Sequence, residues 1–289
     1  MGVVAITVEE QIKKLKGRGM LMDQGINKAE EILFDIGYYR LGFYWYYYQN
    51  HKTHIFHQPI KLSDVVKLYY FDFDLKMLLL RYIYRIEVHF RTQLVYFASN
   101  QYEKNNTWYV DSKIVNSSIF KEFNNIYFNL KTKTNTLKKH HNKHSSNYAP
   151  AWKVFEFLTF GQVFRFYSNL KSHELKKKIA NSYTIRDIAL LESYFLALIN
   201  IRNICSHNGV LFDYNQPYGI KRIPSYEYRI KTNNSTNMNA SIKLILFMLS
   251  KISKNRANDL KSELNVLFSE SKKCKVVEEM INSKIKLDI

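Results

Sequence analysis

Residues 75–98 read LKMLLLRYIYRIEVHFRTQLVYFA, and this stretch decides the fold. Its apolar residues recur with a helical period and cover almost the whole circumference of the predicted helix. A helix that is apolar all round is stable when other helices bury it, so the stretch predicts a helical bundle. Within residues 63–100 we expect two helices or one bent helix, with Ser63 near the first start and with Asp72 and Asp74 favouring a second.

Charged residues interrupt this apolar stretch. Glu87 and Arg91 are four residues apart, so their side chains lie on one face of a helix and can form an ion pair. A buried ion pair must be well satisfied, because the loss of water around both ions opposes burial. Two interpretations stay open: Glu87 orients Arg91, or another arginine, for structural reasons, or the pair supports Arg202 in a functional site.

A second long apolar helix is predicted at residues 184–204, TIRDIALLESYFLALINIRNI. Its apolar residues follow the i, i+3, i+4, i+7 spacing of a helix. Thr184 is the expected N-cap, with Asp187 at the capping-box position, and Gly209 is the expected stop. Polar residues crowd the last turns, so the end of this helix is the first candidate for a functional site.

Arg202, Asn203 and His207 are expected in the last two turns of that helix. Asn203 and His207 share a face and can form a side-chain hydrogen bond. Arg202 and His207 are five residues apart, roughly 140° around an ideal helix, so they converge on one small group only if the helix loosens. The Asn208-Gly209 pair favours that loosening. Otherwise Arg202 pairs with a carboxylate and His207 caps helix carbonyls.

The charge balance is the unusual feature of the composition. The 289 residues include 43 Lys and Arg against 25 Asp and Glu, which gives a formal net charge of +18. That charge predicts affinity for a polyanion, and the 22 tyrosines offer surfaces on which bases can stack. The chain has two cysteines, no signal-peptide pattern and no long uncharged stretch. We therefore expect a reduced, cytoplasmic protein without a membrane span, metal or cofactor.

Basic residues cluster in two places. Residues 118–147 begin as an amphipathic helix and become a tract rich in lysine and histidine, and an irregular basic loop follows Asp213. The spacing of His140 and His144 suits a metal only if the tract is helical, and no nearby acidic residue or cysteine completes a site. We expect phosphate contacts from these two clusters. The candidate residues are Lys131, Lys133, Lys138, Lys139, Lys221 and Arg222.

The N-terminal part combines short helices with a dense aromatic block. Thr7 and Glu10 form a capping-box pattern at the start of the first helix. Residues 38–48, YYRLGFYWYYY, either pack onto the core or present Arg40 and a few tyrosines to RNA. With no β-hairpin or βαβ pattern and roughly ten predicted helices, the chain is expected to be all-α.

The motif Arg-Asn-x-x-x-His at 202–207 resembles the ribonuclease motif of HEPN domains. The wider RNICSHNGVLFD (202–213) resembles the same region of the Abi-D/Abi-F type of abortive infection proteins, which are bacterial anti-phage proteins and relatives of type VI CRISPR effector nucleases. Four other stretches resemble the same family: EEQIKKLKGRGM (9–20), IGYYRLGFYW (36–45), RIEVHFRTQL (85–94) and APAWKVFEFLTFGQVFRFY (149–167).

The resemblance implies a HEPN-like helical bundle at 61–253, with a helical extension at 1–60 packed on the core and C-terminal helices at 254–289. It further implies metal-independent RNA cleavage, in which the 2′-OH attacks the adjacent phosphorus. Arg202 would then stabilise the phosphorane, His207 would transfer a proton, and Asn203 would hold the ring of His207.

Glu156 is the lone carboxylate in an apolar run within residues 149–167. Two interpretations of it stay open. It caps or pairs for structural reasons, or, as the resemblance suggests, it anchors Arg202 or His207.

In-line cleavage needs a base and an acid on opposite sides of the phosphate, and the motif has one histidine. A homodimer with its two-fold axis near residues 202–207 would supply the second, an arrangement typical of HEPN ribonucleases. Family members occur with a companion noncoding RNA. The alternative function is therefore an RNA-binding protein that holds a structured RNA, with cleavage absent or repressed. A helical protein–protein adaptor is a third class, against which the charge of +18 argues.

Overall fold

The longest element is one continuous helix of 40 residues, α4 (Leu62–Gln101). The computed structural model describes residues 4–207, 209–230 and 235–289. Helix α4 has one buried face that runs from Leu62 to Ala98, and it packs against helices from both halves of the chain. The predicted burial is confirmed for one face of the helix, whereas Met77, Tyr84 and Tyr96 on the other side are exposed. The prediction of a second helix start at Asp72 and Asp74 is wrong, because both residues lie inside α4.

Three helices and one short parallel strand pair surround the start of α4. In the pair, Met20 lies opposite Ile60. The predicted capping box at the first helix is confirmed, since the Glu10 N–H donates to Thr7 Oγ1 and the Thr7 N–H donates to Glu10 Oε2. These elements are α1 (Val8–Gly17), β1 (Met20–Leu21), α2 (Ile26–Asp35), α3 (Tyr38–Trp45) and β2 (Ile60–Lys61).

Helices also make up most of the chain after α4. The structure is 67% helical and only 3% strand, which confirms the all-α prediction. The division of the chain at residues 60 and 253 stays a prediction. The helices are α5 (Phe120–Lys133), α6 (Asn135–Lys143), α7 (Ala151–Val154), α8 (Phe160–Ser168), α9 (His173–Ser182), α10 (Ile188–Ser206), α11 (Met238–Ile252), α12 (Lys254–Ser271) and α13 (Lys275–Met280).

Helix α10 begins later than expected. Thr184 has φ of +55° and ends α9, because the Ile185 N–H donates to the carbonyl of Ala180 and the Thr184 N–H to that of Asn181. The predicted N-cap role of Thr184 is therefore wrong. Asp187 is the N-cap, and its Oδ1 accepts hydrogen bonds from the backbone N–H groups of the first turn.

Helix α10 is long and apolar enough to cross a bilayer by length and composition alone. A core helix passes the same test, and α10 packs against α4, α8, α9 and α11. Its buried face includes Leu191, Phe195, Leu198 and Ile201. Every residue of α11 from Met238 to Leu249 is buried, between α4, α10 and α12.

A buried carboxylate on α4 joins three parts of the fold. Asp72 Oδ1 accepts hydrogen bonds from the backbone N–H groups of Leu211 and Phe212, both 2.8 Å away. Asp72 Oδ2 lies 2.9 Å from the hydroxyl of Tyr44 on α3 and 2.5 Å from Nζ of Lys76. Burial, and then the charge of Asp72, raises the pKa of the Tyr44 phenol well above its usual range. The segment after α10 is therefore fastened to the first third of α4.

Replacement of this carboxylate tests how much the fold depends on it. Asp72→Asn keeps the size of the side chain but leaves the buried Lys76 ammonium without a counter-charge. We expect a loss of about 3–5 kcal/mol in the free energy of unfolding, measured by urea denaturation.

The neighbouring Asp74 provides the control, because it lies on the same helix but is exposed. Asp74→Asn should change stability by no more than about 0.5 kcal/mol. The double variant Asp72→Asn with Lys76→Met should recover part of the loss. Equal effects of the two single Asp→Asn changes would show that the buried charge is not a main support of the fold.

Candidate functional site

The end of α10 brings the three candidate residues to the protein surface. Arg202 and Asn203 lie in the last two turns, and α10 ends at Ser206, before the predicted stop at Gly209. His207 is the first residue beyond the helix and has extended backbone angles, φ −118° and ψ 176°. The helix therefore loosens at His207, as its sequence predicts. Asn208, part of the reason for that prediction, lies outside the described residues.

The predicted side-chain hydrogen bond between Asn203 and His207 is not among the contacts of the described residues. The link between these two residues is through the backbone, since the His207 N–H donates to the Asn203 carbonyl at 3.0 Å. Both side chains are exposed. Both side chains are thus accessible to a ligand from solvent.

The segment that follows His207 is held at two points. The backbone N–H groups of Leu211 and Phe212 bind Asp72, as described above. Asp213 then accepts a hydrogen bond from the Tyr47 hydroxyl at 2.8 Å and lies 3.1 Å from Nζ of Lys284. His207 therefore lies between the end of α10 and a segment that is fastened to α4 and to the 3₁₀ turn after α3.

The buried carboxylate of Glu87 lies next to Arg202. Glu87 on α4 lies 2.8 Å from Nη2 of Arg91 through Oε1, and 3.8 Å from Nε of Arg202 through Oε2. The predicted Glu87–Arg91 pair is thus formed, and one carboxylate serves two arginines. Arg91 also donates to the Leu158 carbonyl at 3.0 Å. The Arg202 side chain remains 31% exposed, so part of its guanidinium faces solvent.

Cys205 lies in the same turns of α10 but points inward. Burial raises the pKa of its thiol to about 12, while the charge of Lys76 acts in the opposite direction. A neutral buried thiol is a poor nucleophile, so Cys205 contributes packing and not reactivity.

Glu156 is exposed in a short 3₁₀ turn, Phe155–Phe157, that follows α7. The carboxylate next to Arg202 is that of Glu87, not that of Glu156 as one interpretation expected. Glu156 makes no ion pair or side-chain hydrogen bond with the described residues. Its segment nevertheless reaches the same region, since Arg91 contacts the carbonyl of Leu158.

The candidate RNA-binding residues lie in three separate places. Arg40, on α3, is half-buried with its guanidinium over the rings of Tyr44 and Tyr69. The exposed pair Lys221 and Arg222 lies next to α10, because the Arg222 carbonyl accepts a hydrogen bond from the Tyr194 hydroxyl. The other four candidates are exposed on the adjoining helices α5 and α6: Lys131, Lys133, Lys138 and Lys139.

His140 and His144 do not form a metal site with other residues. Among the described residues, no group of three or more His, Cys, Asp or Glu side chains is placed to hold a metal ion. The His140 and His144 rings lie against each other at 4.7 Å between centroids. Burial and the nearby Lys153 lower the pKa of His140. This part of the surface is basic, without the ligands of a metal centre.

Glu87 offers a test of how the site is held together. Glu87→Gln removes the counter-charge of two arginines, one of which is buried, so we expect about 3 kcal/mol less stability against urea. The control is Glu122→Gln, which breaks the solvent-exposed ion pair with Arg165. That loss should stay below about 1 kcal/mol. Similar losses in both variants would mean that Glu87 does not brace the site.

Comparison of the sequence with known proteins finds a matching family. The sequence model of the family described as "Abi-like protein" matches residues 31–213. No curated protein and no solved structure matches the chain. The matched region contains Asp72, Glu87 and Arg202, and it ends at Asp213. Since the match covers more than half of the chain, the protein belongs to the Abi-like protein family, which supports a role in abortive infection.

Proposed function

We propose that the protein is a metal-independent endoribonuclease of abortive infection, with its chemistry at the end of α10. One observation carries the proposal: the partly exposed Arg202, braced by the buried Glu87, lies five residues before an exposed histidine just outside the helix. The net charge of +18 supports RNA as the substrate, because phosphates dominate the affinity of proteins for nucleic acids.

In the proposed reaction the 2′-OH of the RNA attacks the adjacent phosphorus and loses its proton to a base. The bond from phosphorus to the 5′-oxygen breaks, and an acid protonates that oxygen. The products are a 2′,3′-cyclic phosphate and a 5′-OH. His207 acts as proton carrier, because imidazole exchanges protons near neutral pH. Arg202 binds the phosphorane oxygens through its guanidinium, while Asn203 contacts the substrate or the ring of His207.

A second copy of the chain would complete this reaction. One histidine per chain leaves either the base or the acid missing, and two copies joined near residues 202–207 supply both. The exposed face of α10 supports such an interface. Leu196 is 51% exposed and lies seven residues before Asn203, so both are on one face of the helix. A half-exposed leucine beside the site suits a partner surface of the same kind.

The alternative is an RNA-binding protein that holds a structured noncoding RNA, without cleavage or with cleavage repressed. The exposed lysines of α5 and α6 favour it, because they are distant in sequence from the α10 motif and suit contacts to phosphates along an RNA. Binding and cleavage can also occur in one protein, so the experiment must measure both.

The decisive comparison uses wild type, His207→Ala and Arg202→Ala with labelled RNA in EDTA. We expect His207→Ala to lower the cleavage rate by at least about 100-fold, as loss of a general acid or base does. RNA affinity should stay within a few-fold of wild type. The products should carry 2′,3′-cyclic phosphate ends.

His173→Ala is the matched control, since His173 is an exposed histidine on α9, away from the motif. It should cleave like wild type. If wild type binds RNA but does not cleave it, the RNA-binding alternative is supported. If His207→Ala cleaves as fast as wild type, the proposed site is wrong.

The dimer is tested separately with Leu196→Lys. A charge on this exposed face should dissociate the dimer, shift the mass measured by light scattering to that of one chain, and lower cleavage at least about tenfold. Helix content measured by circular dichroism should be unchanged because the residue is exposed. A single-chain mass for fully active wild type would contradict the shared site.

A further inference from the structure

A cavity of about 440 Å³ lies between α1 and α3, in the N-terminal part of the chain. Its size is within the roughly 300–1,000 Å³ typical of ligand pockets. Aromatic rings form much of its wall, and some of them are strongly exposed, including Tyr39 at 77% and Tyr46 at 49%. The aromatic residues are Tyr38, Tyr39, Phe43, Trp45 and Tyr46. Exposed rings at a cavity offer flat faces for stacking, and stacking is already seen here between Tyr46 and His51, whose ring centroids are 4.4 Å apart.

Gln49 lines the same cavity and carries an unused hydrogen-bonding group. The residue is only 6% exposed, and its Oε1 is buried without a hydrogen-bond partner among the described residues. A buried polar atom without a partner destabilises a fold, so such atoms are rare unless a ligand satisfies them. Its backbone is fixed by a bridge to Phe56. The backbone of Gln49 is therefore held at the cavity wall, and its buried side-chain acceptor is available to a ligand toward which the amide turns.

Basic side chains complete the lining. Lys14 and Arg18 reach the cavity from α1 and the residue after it, and His54 reaches it from the loop before β2. Arg18 donates to the Tyr38 hydroxyl at 3.0 Å through Nη1, which leaves its other N–H groups for a ligand. Among the described residues, none of those that line the cavity is acidic. The lining thus combines stacking faces, an amide and positive charge.

We propose that this cavity binds one unpaired nucleotide of an RNA strand. The base stacks on the exposed rings, its edge pairs with the Gln49 amide, and its phosphate contacts Lys14 and Arg18. An amide presents an acceptor beside a donor, and adenine presents the matching donor and acceptor, so adenine is the expected base. The inference shares the RNA ligand with the proposed function but involves no chemistry at Arg202 or His207.

A lipid or an apolar protein segment suits the cavity less well. Either could cover the rings, but neither a hydrocarbon chain nor an apolar side chain donates a hydrogen bond to Gln49 Oε1. A purine nucleotide satisfies the rings, the amide and the cations together. RNA therefore accounts for more of the lining than the other two classes of ligand.

The test is Gln49→Leu, measured against short fluorescent single strands, A6 and U6 RNA. We expect Gln49→Leu to weaken A6 binding about tenfold and U6 binding less, because the lost pairing is specific for the base edge. The same change should raise Tm by about 2–4 °C, since it removes a buried acceptor without a partner. A purely structural role for Gln49 predicts the reverse: lower Tm and unchanged affinity.

Two further variants complete the test. Tyr46→Ala should weaken both strands about tenfold through lost stacking. Gln24→Leu, at an exposed glutamine of the same region, should change neither affinity nor Tm. If Gln49→Leu leaves A6 affinity unchanged, the proposal is overturned. It is also overturned if AMP binds the cavity and A6 does not, because the ligand would then be a free nucleotide.

The outcome is independent of cleavage. His207→Ala should bind A6 like wild type. If no RNA is cut but Gln49→Leu still weakens A6 binding, the nuclease proposal fails and the nucleotide site stands. If His207→Ala abolishes cleavage while Gln49→Leu binds normally, only the nucleotide site fails.

Discussion

The carboxylate of Asp72 is the constraint on which the rest of the structure depends. A charge buried in a helical core must be well satisfied, and here two backbone N–H groups and a phenol donate to Asp72 while an ammonium pairs with its charge. These partners come from α3, α4 and the segment after α10. Their mutual arrangement is therefore fixed by one buried group, and with it the position of the chain just beyond His207.

Glu87 repeats this principle fifteen residues further along α4, about 22 Å along the helix axis. At Asp72 the partners are buried and the result is structural. At Glu87 one partner, Arg91, is buried, while the other, Arg202, reaches the surface. An arginine that is braced at its base and open at its tip suits anion binding, because little side-chain entropy is lost when a phosphate arrives. Helix α4 thus carries both Asp72, which supports the fold, and Glu87, which supports the candidate site.

Much of the fold could be predicted, because apolar residues that recur with a helical period indicate which helices are buried. The apolar spacing of residues 75–98 and 188–204 indicates buried helices without knowledge of their partners. The i, i+4 spacing likewise predicts the Glu87–Arg91 pair.

The same spacing joins Asp72 to Lys76, but Asp72 suggested a helix start because acidic residues are common there. Its other partners include the backbone N–H groups of Leu211 and Phe212, and no pattern of residue types predicts such contacts. Thr184 and Asp187 are both good caps, and only the hydrogen bonds at the end of α9 decide between them. The unused acceptor of Gln49 could not be predicted either, since it depends on the absence of a donor near Oε1 among the described residues.

The anchors beside His207 also set an order for the folding of the protein. Asp72 is separated from Leu211 by 139 residues, and Tyr47 from Asp213 by 166. Asp213 is further held by Lys284. Contacts between such distant residues form late, because the long intervening loop must be closed first. During synthesis α10 is complete well before residue 284 leaves the ribosome. A nascent chain therefore carries the motif without its full set of anchors, and the fully anchored site belongs to the finished molecule.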